Sequence, residues 1–142
     1  MEKVDQKIIK FIKKHHVLTL ATAIDGNPYC ANCFYSYLED ENMLVFTSDL
    51  KTKHIQDVLE NNFVAGSIVL ETRIIGKIQG LQFNGFMVDV DEKLAEKVRK
   101  SYIKKFPFAM LMETQLWALE LTFLKFTDNT LGFGKKLIWE NK

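Results

Sequence analysis

Cysteine is scarce in this chain, and what there is of it is badly placed for chemistry. The only two, Cys30 and Cys33, form a C-x-x-C inside the run YCANCFYSY, which is patterned as a strand. Residues three apart on a strand point to opposite faces, so the sulfurs cannot readily meet. No second ligand pair exists elsewhere, which argues against zinc or a disulfide and for structural thiols, or one thiol lining a pocket. Histidine is equally thin, with three residues too scattered for a local metal motif. The expected metal content is none. Charge of one sign is also missing: 19 basic and 18 acidic residues leave +1, no footprint for a nucleic-acid or membrane binder. No apolar run approaches the roughly 20 residues of a membrane helix. The start, MEKVDQKIIKFIKK, lacks a signal-peptide core, so a cytoplasmic location is expected. There is no convincing Ser-His-Asp or Cys-His set. The acids at Glu39–Glu41 and Asp89–Glu92 read as solvated turns and a helix cap. Repeats, low-complexity tracts and linkers are lacking too.

What is present is core. Hydrophobic residues make up 47% of 142, enough for one domain spanning 1–142. Val4, Ile8, Phe11 and Ile12 recur at helical spacing over Val4–His15, predicting an amphipathic lid. VLTLATAI (17–24) reads as a buried strand, Asp25-Gly26 as a hairpin turn, and Asn27–Leu38 as the returning strand. Pro28 sits near that strand's beginning, where a missing N–H does least harm. A turn at Glu39–Asn42 leads to a third strand, Met43–Thr47. Further on, the pattern predicts a helix over Lys51–Asn61, a strand over Phe63–Leu70, and one long β segment, Ile74–Val90, bent at Gly76, Gly80 and Gly85. A helix over Asp91–Lys105 is stopped by Pro107, and Phe108–Glu113 reads as a short helical turn. Strands over Leu116–Thr127 and Leu131–Trp139 close the chain. The order α-βββ-α-ββ-α-ββ, in antiparallel meanders with glycine bends, favours a closed or partly closed β-barrel with helices at its ends.

One stretch, LVFTSDLKTKHIQ (44–56), stands out as strand, polar turn and helix start. Ser48, Thr52, Lys53 and His54 crowd the junction. A helix start offers unpaired N–H groups and the positive end of a dipole, so an anion is welcome there. Hydroxyls and a lysine at that point are what a phosphate would use. The plainer alternative is a helix N-cap by Ser48 or Asp49 with solvated lysines behind it.

In chain order, LATA-DG-PY-AN-FY, LVFTS---TKH and IQG-QF-G resemble the FMN-binding split barrels related to pyridoxamine 5′-phosphate oxidase. CANCFY, IQGLQFNG, KKFPFA and above all LKFTDNTLGFGKKLIW resemble the YhbP-type group of small bacterial proteins within that superfamily. The likeness runs from Val4 to Trp139.

The resemblance implies a six- to seven-stranded antiparallel split barrel flanked by about three helices. It also implies a homodimer with FMN in clefts at the subunit interface. By the family pattern, Ala31, Asn32, Cys33 and Phe34 would lie along the flavin ring, followed by Phe46 and Thr47. Ser48, Thr52 and Lys53 would hold the phosphate, and Gln82 or Gln79 would approach the ring. The partner would contribute Thr127, Asn129 and Lys136. The chain also departs from the oxidase. Ala31 and Thr52 stand where it has arginines, and Gly132-Phe133-Gly134 occupies the region of its substrate-binding Arg-x-His. The expectation is therefore a flavin-dependent oxidoreductase of some other small substrate, with His54 and Lys51 partly replacing the missing cations. The alternative is a non-catalytic module holding flavin or haem on the same barrel.

Overall fold

The computed structural model describes residues 2–112 and 115–141. Helix α1 (Gln6–Lys14) precedes β1 (Val17–Ile24), β2 (Asn27–Leu38) and β3 (Met43–Thr47). Helix α2 (Lys53–Glu60) leads to β4 (Phe63–Val69) and β5 (Gln79–Val88). Helix α3 (Glu92–Lys105) precedes β6 (Leu116–Asp128) and β7 (Lys136–Glu140). The strands hydrogen-bond in the order β3-β2-β1-β4-β5-β6-β7, every neighbour antiparallel, and β3 also pairs with β6. That last pairing closes six strands into a barrel and leaves β7 as an added strand on β6. Closure removes the open sheet edges that would otherwise invite aggregation.

Alternation along each strand decides what fills the barrel. Leu18, Leu20, Tyr35, Leu44, Phe46, Leu81, Phe83, Leu124 and Phe126 point in and are almost wholly buried. Helix α1 plugs one end with Ile8, Phe11 and Ile12, and Tyr35 ties it down by donating its hydroxyl to the Ile12 carbonyl at 2.6 Å. Helix α2 covers another opening with Ile55 and Val58. On the outside, Val98 and Tyr102 of α3 pack with Met43, Val45 and Ala118 in a second, smaller core.

Two glycines are steric necessities. A Cβ on Gly85 would lie 2.3 Å from the Glu120 carbonyl oxygen, at the point where the β5–β6 register shifts. A Cβ on Gly66 would sit 2.3 Å from both the Thr19 carbonyl oxygen and Phe83 Cζ. Backbone and a packed ring cannot both yield, so Gly66→Ala should lose about 2 kcal/mol or more, read as a lowered denaturation midpoint. A midpoint equal to wild type would contradict this packing.

The structure corrects several expected elements. Ile74–Val90 is not one strand: Ile75–Lys77 form a 3-10 turn and β5 begins at Gln79. Gly76 lies in that turn with open space around it, and Gly80 is an in-register strand residue opposite Val69 and Thr127. The last strand starts at Lys136, not Leu131. Asp128 accepts from the Thr130 backbone N–H and hydroxyl at 2.9 and 2.6 Å, and Asn129 Oδ1 accepts from Gly134 N at 3.0 Å. These local bonds outcompete the ladder, with Gly132 and Gly134 at positive φ to complete the turn. Pro107–Leu111 form the short turn after α3; the expected end of that turn, Glu113, lies outside the described residues. Cys30 is exposed and Cys33 buried, both as free thiols, as opposite faces of a strand require.

Candidate functional site

The junction between β3 and α2 is built differently from a capped helix. The N-cap is Thr52, not Ser48 or Asp49, and no side chain caps α2. Asp49 instead folds the preceding turn: its carboxylate accepts from Lys51 N at 2.8 Å, and its carbonyl accepts from the Thr52 hydroxyl at 2.8 Å. The first helical N–H groups are therefore without a side-chain acceptor. Ser48 is fixed from below, where Trp117 of β6 donates its indole N–H to the Ser48 carbonyl at 2.9 Å.

Around this uncapped start four side chains converge. His54 Nε2 lies 2.7 Å from Ser48 Oγ and 3.5 Å from Thr52 Oγ1. Cys33 of β2 completes the cluster, its sulfur 3.7 Å from Ser48 Oγ and 4.0 Å from His54 Nε2. Burial holds the His54 pKa below its ordinary value, against a smaller upward pull from Asp57. Burial also raises the Cys33 thiol pKa, opposed by Ser48. At neutral pH the cluster is thus a neutral imidazole and a thiol beside two hydroxyls. Its donors suit an oxyanion, and it lacks the thiolate of a cysteine nucleophile.

Lys53 does not join it. Its ammonium bonds both carboxylate oxygens of Asp57 at 3.0 Å and stands 4.8 Å above the Tyr29 ring. Asp57 is buried and also accepts from the buried Thr22 hydroxyl at 2.8 Å. These partners hold the Asp57 carboxyl below its usual range, Lys53 foremost and then Thr22. The expected phosphate lysine therefore anchors α2 to β1. The i,i+4 spacing of Lys53 and Asp57 was a readable signal for that pair.

The other expected residues divide by face. Ala31 follows Cys33 on β2, whereas Asn32 and Phe34 point outward. Asn32 accepts from Thr19 at 2.9 Å, and Phe34 is 58% exposed. Gln82 is exposed on β5, in a shallow outer groove with Thr19, Cys30, Ser67 and Asn84; Gln79 lies under α1 instead. Phe46 is wholly buried in the core, and the Thr47 hydroxyl meets Tyr102 of α3 at 3.1 Å. Asn129 spends its side chain on its own hairpin, donating to the Ile75 carbonyl at 2.8 Å and accepting from Gly134. Thr127 and Lys136 face one another across β6 and β7, with Lys136 exposed. Within one chain, then, Cys33, Ser48 and Thr52 come together and the rest do not. Sequence reasoning passed over Asp57, Thr22 and Trp117, and left His54 at the margin.

A closed antiparallel barrel, helix-plugged, with an oxyanion-compatible junction after its third strand, defines the class as a split barrel. The family model described as "Pyridoxamine 5'-phosphate oxidase" matches residues 4–128. A "UPF0306 protein" of Photorhabdus laumondii is 39% identical over 135 residues, 95% of this chain and 94% of that protein. The chain belongs to the pyridoxamine 5′-phosphate oxidase family and, within it, to the UPF0306 group that includes YhbP of Escherichia fergusonii. Among solved structures, a haem-binding protein of Mycobacterium smegmatis is similar, with a TM-score of 0.75 at 15% identity. The match covers 99% of this chain and 60% of that one. A FAD-binding protein of Mesorhizobium loti gives a TM-score of 0.67 at 17% identity, covering 84% and 89%. No helix of the described residues is long and apolar enough to cross a membrane.

Proposed function

We propose that this chain is an FMN-binding homodimer that catalyses flavin-dependent oxidation or reduction of a small substrate. The uncapped start of α2, faced by Ser48, Thr52 and His54, is the observation that carries the reading. It fits a phosphate monoester: orphan backbone donors, the Ser48 hydroxyl and an imidazole that can take a proton. The bound flavin would supply the electron chemistry, and the protein would bind, orient and shield it. Asn32, Phe34 and Gln82 on the outer face would meet the ring, where a partner's Lys136 and Thr127 complete the site. Asn129 would act there only by holding its hairpin in shape.

The exposed apolar side chains support a second copy. Phe34, Phe63, Val69, Phe133 and Ile138 are all more than half exposed, apolar surface that a second copy would cover. In sedimentation equilibrium the protein should run at about twice its 16.5 kDa chain mass; a monomer at micromolar concentration contradicts the shared site.

The charge state of His54 gives a signed pH dependence. Burial keeps the imidazole neutral above its ordinary value near 6.5, so a dianionic phosphate must bring a proton with it. FMN affinity should rise as pH falls from 8 towards 6, by up to about tenfold per unit for one proton taken up. Below about pH 6 the phosphate itself takes the proton and the gain levels off. His54→Gln should flatten the rise in a fluorescence titration, and an unchanged slope would remove His54 from the seat. Haem is the second reading, favoured by the likeness to a haem-binding barrel. Titration with haemin in place of FMN separates the two.

A further inference from the structure

A second cluster of cations lies away from the α2 junction. Helix α3, the end of β2 and the turn after it enclose a groove of about 720 Å³. Lys13, Lys97, Lys100, Lys104 and Lys105 line it together with Glu39, Asp40 and Glu41. Two of the lysines are neutralised: Lys13 pairs with Glu39, and Lys97 with Glu41 at 2.6 Å. No carboxylate of the described residues pairs with Lys100, Lys104 or Lys105. Lys100 and Lys104 are four apart on one helix, where like charges repel. On the floor, Ser36 and Ser101 share a hydroxyl contact of 3.0 Å, and Ser36 is buried.

Lys105 is the unusual member. Its ammonium donates to the His15 carbonyl and stands 4.2 Å over the Tyr35 ring and 5.7 Å from that of Phe106. Burial without a counter-charge lowers its pKa to about 8. Retaining a half-buried lysine with no carboxylate partner beside two others is costly for a fold that gains from it only a carbonyl contact and two ring contacts. An anion in the groove would relieve all three at once.

We propose that the groove between α3 and the β2–β3 turn binds a small ligand carrying two or more phosphate groups. Lysines act as mobile point charges, which suits phosphate oxygens at several positions better than one flat carboxylate. The Ser101 hydroxyl is available as a further donor. Because Lys105 is partly neutral at pH 8, the anion should bind there with uptake of a proton.

Calorimetric titration with tripolyphosphate at physiological salt tests this. Wild type should give saturable binding, and at pH 8 its heat should depend on the buffer's ionisation enthalpy. Lys100→Gln/Lys104→Gln, on the solvent side of α3, should weaken binding at least about tenfold without lowering the denaturation midpoint. Lys105→Met, which keeps the apolar stem, should change the buffer dependence by the proton that Lys105 takes up, leaving only the ligand's own share. Thr52→Val and His54→Gln should leave tripolyphosphate binding intact, separating this groove from the α2 junction. Citrate should bind more weakly than tripolyphosphate. The proposal fails if wild type shows no saturable heat, if Lys7→Gln on α1 weakens binding as much as the α3 pair, or if only the α2-junction variants matter.

Discussion

Thr52→Asp is expected to leave the fold intact and to abolish FMN binding. Thr52 is the N-cap of α2 and makes no side-chain cap bond. Aspartate is among the best N-cap residues, and a carboxylate at a helix start is favoured by the dipole. The denaturation midpoint should hold to within about 1 kcal/mol of stability, the gained cap offsetting the lost Thr52 hydroxyl bond to the Asp49 carbonyl. The same carboxylate would occupy the donors proposed for the phosphate and repel it. Affinity for FMN should drop at least about a hundredfold, the scale of a like-charge contact in a confined site. The contrast matters, because a variant that merely damaged the protein would lower both quantities. Weakened FMN binding together with a lower midpoint would count as damage; unchanged FMN binding would put the phosphate elsewhere.

Asp57→Ala should show the reverse pattern. Its carboxylate receives Lys53 at 3.0 Å and the buried Thr22 hydroxyl at 2.8 Å, joining α2 to β1. Truncation leaves the Thr22 hydroxyl only a long 3.4 Å contact to the Tyr29 carbonyl inside the barrel opening, whereas the exposed Lys53 ammonium can turn to water. We expect a loss of about 1 to 2 kcal/mol, mostly from the lost Thr22 bond and the void. Thr22→Val in the same chain should recover part of it, since an apolar pair costs less than a half-made one. The pH sign is fixed by the depressed carboxyl pKa. The Asp57 contribution is present above the ordinary carboxylate value of 3.8 and is lost as pH falls through the lower folded value. The gap between wild type and Asp57→Ala should therefore close only in acid. FMN affinity should not fall, because an acid near the seat has been removed. A weakened FMN complex would mean that the Lys53–Asp57 pair itself holds the phosphate.

Apolar, β-branched runs between clear turns made the barrel legible. The strands Val17–Ile24, Asn27–Leu38 and Met43–Thr47 fall where the apolar run and the turns at Asp25-Gly26 and Glu39–Asn42 place them. The errors sit where side chains bond their own backbone. Asp49 winds the turn before α2, and Asp128 with Asn129 shortens β7, and neither effect appears in a hydrophobic pattern. Of the candidate site, the polar helix start was legible in the sequence and its wiring was not. Ser48 and Thr52 were named for what they are, polar groups at a helix start. Lys53 was assigned to the anion because lysine is the obvious phosphate ligand, yet Asp57 four residues on claims it. His54 meets Ser48 from the first turn of a helix that begins at Lys53 rather than Lys51, a start the hydrophobic pattern does not mark. Asn32, Phe34 and Gln82 could not be joined to that cluster from one chain, since strand alternation sends them to the outer face.

The most direct measurement is a paired titration of the apoprotein with FMN and with riboflavin, followed by flavin fluorescence at pH 6.5. The two ligands share the ring and differ in the phosphate. If the α2 junction seats that phosphate, FMN should bind at least about tenfold more tightly than riboflavin, and Thr52→Asp should erase the difference. Equal affinities for the two, or no change in either spectrum, would contradict a phosphate seat at this junction.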